Sequence, residues 1–344
     1  EIEVPTAASH HARRLAQREV PLEALLRAYR LGQELYLQYW FRLMRRHPPD
    51  AELLMALVSH TVSIAGNYID RVCEHVVEVY ADERKLWTRR AAATRAVQVR
   101  TALFEEDLSA ATAEALTGYR MQGTHLGLVA WSSVSHGPRG VESAARVIAT
   151  ASGRQPLAVL VDDRTLWAWV SGPTGVELDV DVLAGELARR CTGVRVAIGN
   201  PAPDLSGFRS SHTEALSAQR VATIQGPQAP LVTVYAEVAA SAFLAKDLRA
   251  ARRWVADVLG GLAADEPGMA ELRKTMMSFL RTGASLVNTA KELNLHKNTV
   301  RNRLAKAEDI LGTPTAEARV GLAVALLACE QLGPGVLIPT TRGL

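Results

Sequence analysis

The stretch Ser285–Gly312 reads SLVNTAKELNLHKNTVRNRLAKAEDILG and holds two apolar rhythms separated by a short break. The spacing predicts one helix over Ser285–Leu293 and a second over Lys297–Leu311. The linker between them is long enough only for a sharp turn, so we expect the two helices to pack against each other. In the second helix the apolar residues recur at i, i+4, i+7 and i+11 and form one buried stripe: Val300, Leu304, Ala307 and Leu311.

The turn between these helices has recognisable packing and capping residues. Ala290 is small, as the close approach of two crossing helices requires, and Leu293 and Leu295 are expected to close the shared core. His296 or Asn298 is expected to cap the start of the second helix, because its side chain can accept a hydrogen bond from a free backbone N–H.

The opposite face of the second helix is polar and basic, with no acidic residue before Glu308. DNA phosphates require such positive charge, and the side chains of Arg and Asn match the edges of guanine and adenine. We predict base reading by Asn298, Thr299, Arg301 and Asn302, phosphate contacts by Lys297, Arg303 and Lys306, and further DNA contacts by His296 and, from the first helix, Thr289.

The same pattern has a plainer interpretation, which stays open. A basic amphipathic helix is often only a solvated face, and helix pairs joined by short turns are common. On that interpretation the chain is an interaction scaffold without specific DNA binding. DNA binding is favoured because no other segment of the chain carries a comparable pattern.

The composition indicates a globular protein of more than one domain. The chain has 344 residues, 48% of them hydrophobic, and a net charge of only +3. Its three scattered cysteines (Cys73, Cys191 and Cys329) suit a reducing cytoplasm rather than a disulfide framework or zinc ribbon. The sequence has no signal-peptide pattern and no apolar run of membrane-spanning length, so we expect a cytoplasmic protein without membrane contact. Because the first residue is Glu1 rather than Met, the natural start is expected upstream.

The first part of the chain is helical in pattern throughout. Residues 1–88 are predicted to form a helical sensor or dimerisation domain, with a helix starting at Pro21 and a break at His47–Asp50. Residues 89–118 are rich in Ala and Arg at their start and are predicted to form a linker helix.

In the rest of the chain the sequence pattern changes twice, from helical to mixed strand and helix and back to helical. The predicted fold class is therefore multi-domain, α and α/β. Residues 119–236 hold short β-rich runs in the order β-α-β-β-α-β, followed by α and β, which indicates a ferredoxin-like α/β domain. Residues 237–332 are predicted to form a helical DNA-binding domain with a helix-turn-helix over 285–311. Residues 333–344 contain several Gly and Pro residues and are predicted to be a flexible tail.

The end of the chain closely resembles the carboxyl-terminal helix-turn-helix of the purine-catabolism-regulator (PucR, CdaR-like) family. The matching positions are Thr289, Ala290, His296, Asn298, Thr299, Val300, Arg303, Leu304, Leu311 and Gly312. The resemblance implies a transcription regulator with a Fis-like DNA-binding module that acts as a dimer. Where the family often has Tyr, this chain has Asn302, which is expected to shift the sequence preference without changing the class.

Two upstream stretches carry related resemblances. VRVAIGNPAPDLSGFRSSHTEALSAQRVA, from Val194, is similar to part of the degenerate diguanylate-cyclase-like (GGDEF-like) domain of the same regulators. HARRLAQREVPLEALLRAYRLGQELYLQYW, from His11, is similar to the RsbR-like amino-terminal domain of many of them. A working cyclase carries a Gly-rich motif on the hairpin between its second and third strands, and here VDDRTLW at Val161–Trp167 lacks those glycines. The resemblance therefore implies lost cyclase chemistry.

Two further candidate sites remain open. Asp162 and Asp163 could hold a metal ion, although paired Asp residues more often serve a tight turn. An aromatic cluster could line an effector pocket, but such residues are more often core or a dimer seam: Tyr29, Tyr36, Tyr39, Trp40 and Phe41. Since the nine histidines have no metal-ligand spacing, we predict no metal and no catalytic residues.

The combined prediction is a sequence-specific DNA-binding transcription regulator that is not an enzyme and carries no cofactor. Its expected partners are double-stranded DNA, a second copy or more of the same chain, and possible small-molecule effectors. We expect the long helix between the first two domains to couple input to DNA binding. The alternative is a nucleotide-sensing or stress-signalling interaction scaffold. The effector, the operator and the sign of regulation do not follow from the residues.

Overall fold

The structure of the protein is a computed structural model that describes residues 4–46, 50–132, 138–173, 175–312 and 319–339. The chain divides into two compact units, Glu1–Thr94 and Arg95–Leu344. Within the described residues, no helix is both long enough and apolar enough to cross a membrane. Most of the break predicted at His47–Asp50 lies outside the described residues.

The first unit is helical, as the sequence predicts. It consists of α1 (Thr6–Gln17), α2 (Leu22–Arg46) and the first part of α3 (Ala51–Phe104). Pro21 directly precedes α2, and its carbonyl oxygen accepts a hydrogen bond from the Ala24 N–H. A small apolar core joins the three helices through Ala8, Ala12, Leu25, Val72 and Val76.

The predicted linker helix over 89–118 does not exist as one element. The helix α3 ends at Phe104, and a separate helix, α4 (Ala110–Thr117), follows. Ser109 starts α4 by accepting a hydrogen bond from the Thr112 N–H. Ala102 at the end of α3 is fully buried in the core of the second unit. From Arg95 onward the stretch is therefore a packed part of the second unit and not a free linker.

The α/β region has the predicted order of strands and helices. Its elements are β1 (Thr124–Ser132), α5 (Pro138–Ser152), β2 (Leu157–Leu160), β3 (Thr165–Gly172), α6 (Val180–Arg190), β4 (Val194–Ile198), β5 (Ala202–Pro203), α7 (Asp204–Gln225) and β6 (Val232–Val234). The sheet order is β2-β3-β1-β4-β6, and β5 pairs with β1. All pairs are antiparallel except β4 with β6. This topology confirms the ferredoxin-like prediction, with β6 as the further strand that the sequence predicts and the two-residue β5 as one that it does not.

Both faces of the sheet are buried, because successive side chains of a strand point to opposite faces. On one face, Leu126 and Leu128 of β1 pack with residues of α5 and α6. On the other face, Val129 packs with the end of α3 and with α7. The central strands are accordingly apolar along their length rather than alternating with polar residues.

The remaining helices share a core with the α/β region. They are α8 (Tyr235–Leu244), α9 (Leu248–Leu259), α10 (Pro267–Arg281), α11 (Leu286–Glu292), α12 (Lys297–Leu311) and α13 (Arg319–Leu332). Ala218 and Val221 of α7 belong to the same apolar cluster as residues of α9 to α13. The structure thus joins the stretches 119–236 and 237–332, which the sequence pattern separates, into one compact unit.

The predicted flexible tail is ordered as far as Pro339. A short 3-10 turn at Gly333–Gly335 leads to Val336 and Leu337, which are buried at 0% and 5% exposure. The Ile338 N–H donates to the carbonyl of Ala263, and the Asp265 N–H donates to the carbonyl of Ile338. The buried side chains of Val336 and Leu337 anchor the segment. Its Gly and Pro content had suggested a loose tail instead. Residues 340–344 of the predicted tail lie outside the described residues.

Candidate nucleic-acid interface

The helices α11 and α12 form the helical pair that the sequence predicts. The turn between them is a Schellman motif, in which Asn294 takes the left-handed conformation with φ of 52°. The Leu295 N–H donates to the carbonyl of Ala290, and the Asn294 N–H donates to the carbonyl of Lys291. Asn tolerates this conformation better than most residues. The turn closes α11 and sends the chain directly into α12.

The cap and the buried stripe of α12 also follow the sequence. His296 is the N-cap residue, and its Nδ1 accepts a hydrogen bond from the Asn298 N–H at 3.3 Å. Val300, Leu304 and Ala307 are buried in the core of the second unit, whereas Leu311, the fourth predicted member, is partly buried against it. This stripe fixes which face of α12 is turned outward.

The outward face of α12 exposes most of the residues that we predict to bind DNA. They are Lys297, Asn298, Thr299, Arg301, Asn302 and Lys306, together with His296 at the cap. The guanidinium of Arg301 donates to Asn298 Oδ1 at 3.2 Å, one turn apart. This bond holds two base-reading candidates in register on one side of the first turns. The face has the charge and the donor pattern that a major-groove reader needs.

Arg303 differs from its neighbours on α12. Its guanidinium forms an ion pair with Glu271 of α10, with 2.6 Å between Nη2 and Oε2. The Arg303 side chain is 28% exposed. The pair braces α12 against α10, so a phosphate contact by Arg303 would compete with Glu271. Sequence reasoning missed Glu271 because nothing local relates it to a helix about thirty residues later.

Thr289 is not on the surface, contrary to the prediction that it contacts DNA from the first helix. Its side chain is 0% exposed. Its hydroxyl donates to the carbonyl of Ser285 at 2.8 Å and lies 2.8 Å from the hydroxyl of Thr282. The hydroxyl therefore ties α11 to the end of α10, and its polarity suggested an exposure that the fold does not give it.

In the hairpin between β2 and β3, Asp162 serves the turn, which is the more common of the two roles that the sequence leaves open. Asp162 Oδ1 accepts a hydrogen bond from the Arg164 N–H at 2.8 Å, which is common turn chemistry. Asp163, its neighbour, is exposed. Across the described ranges, no three His, Cys, Asp or Glu side chains are grouped as a metal site would need.

The aromatic cluster of the first unit is split by the structure. Tyr29 and Tyr36 line a cleft of about 530 Å³ between α2 and α3, together with Tyr68. Tyr39 is 68% exposed. Trp40 and Phe41 contact each other edge to face, with ring centroids 5.8 Å apart. Of the five residues, Tyr29 packs against the small core of this unit, and the cluster as a whole forms neither a closed pocket nor a single core.

A helix-turn-helix with an exposed basic reading helix defines the class of DNA-binding transcription regulators. Three family models match the chain in sequence order. They are the RsbT co-antagonist protein rsbRD N-terminal domain over residues 1–95, a GGDEF-like domain over 103–221, and the PucR C-terminal helix-turn-helix domain over 272–328. The chain carries these three domains, and the resemblance to PucR-type regulators is confirmed domain by domain.

Comparison with whole proteins and solved structures gives less information about this chain than the domain matches do. No curated protein matches the chain significantly. A solved structure, the regulator of polyketide synthase expression from Bifidobacterium adolescentis, is 19% identical and covers 70% of this chain and 92% of its own. Its TM-score of 0.35 is too low to define a shared arrangement.

Proposed function

We propose that this protein is a sequence-specific transcription regulator that reads the major groove with α12. The observation that carries the proposal is the outward face of α12, where an exposed basic and amide-bearing surface lies opposite a fully packed apolar stripe. A solvated face needs neither this concentration of cations nor an Arg and Asn pair in the first turn. The PucR-type helix-turn-helix match supports the same assignment.

The exposed residues divide into two roles. Asn298, Thr299, Arg301 and Asn302 lie in the first turns of α12, the part of a recognition helix that usually meets base edges. Lys297 and Lys306 supply phosphate contacts, and His296 caps the helix at the DNA surface. Arg303 contacts a phosphate only if the phosphate replaces Glu271 as the partner of its guanidinium. Thr289 has no place in this interface, because it is buried.

A single helix pair of this size contacts only a short half-site, so useful specificity requires two copies. The first unit is the proposed dimerisation and input domain, and the GGDEF-like domain is proposed to transmit the input without catalysis. The stretch Val161–Trp167 lacks the glycines that let phosphates approach the backbone in working cyclases. Incubation with GTP and Mg²⁺ should therefore yield no cyclic dinucleotide, and its formation would overturn this part of the proposal.

The deciding experiment compares Arg301→Ala with Arg253→Ala, which removes the same charge from an exposed position on α9. Genomic DNA capture with the full chain defines the operator, and titrations at two salt concentrations give the affinities. We expect Arg301→Ala to weaken operator binding by about 1–3 kcal/mol and to relax specificity at one base position. Arg253→Ala should leave the operator affinity unchanged.

A different result would contradict the proposal. Weak, salt-sensitive and sequence-blind binding, equal in the parent and both variants, would contradict base reading by α12. The interaction scaffold would then become the better description of the protein.

A further inference from the structure

Behind the helix-turn-helix lies a cleft that the DNA-binding assignment does not use. It has a volume of about 460 Å³ and lies between α10, α13 and the 3-10 turn at Gly333–Gly335. Its volume is in the range of small-molecule sites, which are commonly 300–1,000 Å³. Glu292 and Leu293, at the end of α11, form part of its wall.

The floor of the cleft is apolar and fully formed. Met277, Leu326, Cys329 and Leu337 line it, and each is less than a tenth exposed. Such a floor accepts the apolar body of a ligand without rearrangement. Burial also raises the pKa of the Cys329 thiol to about 11, so the floor carries no thiolate charge at neutral pH.

One wall of the cleft presents a row of hydrogen-bond donors. Lys274, Ser278 and Arg281 all line it, and their spacing of four and three residues places them on one face of α10. The hydroxyl of Ser278 is closed off from solvent and has no hydrogen-bond partner among the described residues, so a ligand reaches it only when the side chain rotates toward the cleft. A buried hydroxyl without a partner is costly, and a ligand acceptor would remove that cost.

The charges around the cleft leave Lys274 as the available cation. Arg281 is already paired with Glu330 through two contacts, at 2.6 and 3.3 Å. Arg273 is 7% exposed, and its Nη1 donates to the carbonyl oxygens of Leu262 and Ala264. Lys274 is exposed and makes no ion pair or hydrogen bond within the part of the chain that the structure describes. The carboxylates of Asp265 and Glu292 also line the cleft, on segments other than α10.

We propose that this cleft binds a small organic carboxylate, whose apolar body rests on Met277 and Leu326. Its carboxylate meets Lys274 and, once the Ser278 side chain rotates toward the cleft, the Ser278 hydroxyl. Two donors of different kinds, one charged and one neutral, fit the two oxygens of a carboxylate. An apolar body is required because Met277, Leu326 and Leu337 of the floor offer it no polar partner.

Occupation of the cleft would reach the helix-turn-helix through α10. Glu271 of α10 holds Arg303 of α12, and Thr282 following α10 lies within hydrogen-bond distance of Thr289 of α11. A ligand against α10 and Leu293 can therefore shift the pair of helices. This regulatory part rests on the proposed DNA-binding function, whereas ligand binding itself does not.

Methyl NMR of the full chain labelled at its methionines tests binding without DNA. The probe is benzoate, compared with benzamide and benzylamine as neutral and cationic analogues, and Met277→Leu assigns the floor methyl. We expect benzoate alone to shift the Met277 signal in a saturable manner. Lys274→Gln should weaken benzoate binding roughly tenfold, as loss of a charged hydrogen bond does. Lys291→Gln, on α11 outside the cleft, should have no effect.

Three results would each overturn the site: no shift of the Met277 methyl with benzoate, equal shifts with all three probes, or unchanged benzoate affinity in Lys274→Gln. A second arm measures operator affinity with and without saturating benzoate. A Met277 shift without any change in operator affinity would retain the site and reject its regulatory role. Failure of DNA binding altogether would leave the NMR result standing, so the two proposals fail separately.

Discussion

At the residue scale, a substitution of Thr289 tests whether its hydroxyl stabilises the fold or contacts DNA. Thr289→Val keeps the shape of the side chain and removes the bonds to Ser285 and Thr282. We expect the free energy of unfolding to fall by about 1 kcal/mol, the usual value for a buried hydrogen bond. Chemical denaturation gives the stability, and operator titration of the folded variant should give the parental affinity.

Lys297→Ala is the matched control for this prediction, because Lys297 is exposed at the start of α12. It should weaken DNA binding and leave the free energy of unfolding within about 0.5 kcal/mol of the parent. If Thr289→Val lost DNA affinity at full stability, the buried role of Thr289 would be wrong.

A buried histidine gives the α/β region a pH dependence of stability. His212 is 1% exposed and lies against Trp167 and Trp169, with ring centroids 4.4 and 4.8 Å away. Burial lowers its pKa from 6.5 to about 3, because the charged ring would lose its hydration. Above pH 6.5 the ring is neutral in both the folded and the unfolded chain. Below that pH only the unfolded chain binds the proton.

The free energy of unfolding should therefore decline as the pH falls from about 6.5 toward 3, by up to about 1.4 kcal/mol per pH unit from this group. His212→Phe keeps a ring between the tryptophans and cannot titrate. Denaturation curves from pH 7 to 4 should show a shallower decline for the variant. Parallel curves for parent and variant would mean that His212 does not titrate as its burial requires.

At the element scale, the segment after α13 is part of the fold. Leu337 is 5% exposed and packs in the core of the second unit. Leu337→Ala should lower the free energy of unfolding by about 2–4 kcal/mol, as truncation of a buried leucine does. Pro339→Ala, two residues on and exposed, should change it by less than about 0.5 kcal/mol. Equal effects of both changes would restore the prediction of a loose tail.

At the scale of the whole molecule, the first unit has more apolar surface than its own core can bury. Leu35 and Tyr39 on α2 are 64% and 68% exposed, and Met55 on α3 is 71% exposed. Monomeric proteins rarely leave such a concentration of large apolar side chains in water. Because the proposed regulator needs two copies, we expect the first unit of a second copy to cover this surface.

Leu35→Glu combined with Tyr39→Glu places two charges one helical turn apart on this surface. The full chain is expected to sediment as a dimer, and the double variant as a folded monomer with weaker operator binding. Arg30→Glu, at an exposed position on the opposite face of α2, should stay dimeric. A parent that sediments as a monomer, or a double variant that remains dimeric, would refute this surface as the dimer interface.

Much of the fold and site could be predicted from the sequence, because the decisive signals are local. The apolar periodicity of α12 gave its bounds and its buried stripe, and His296 caps it as one of two predicted candidates. The alternation of short strands and helices gave the order of the α/β region. Such patterns express burial along one element, and burial is what the periodicity of a sequence records.

By itself, the sequence determined the classes of the elements, the outward polar face of α12 and the resemblance to PucR-type regulators. The tertiary structure alone decided that Thr289 is buried, that Glu271 holds Arg303, and that the segment to Pro339 is ordered. These facts depend on contacts between residues far apart in the chain, and no local pattern specifies which distant side chain will arrive. The cleft that we propose as a carboxylate site belongs to the same category, since its walls come from separate helices that only packing brings together.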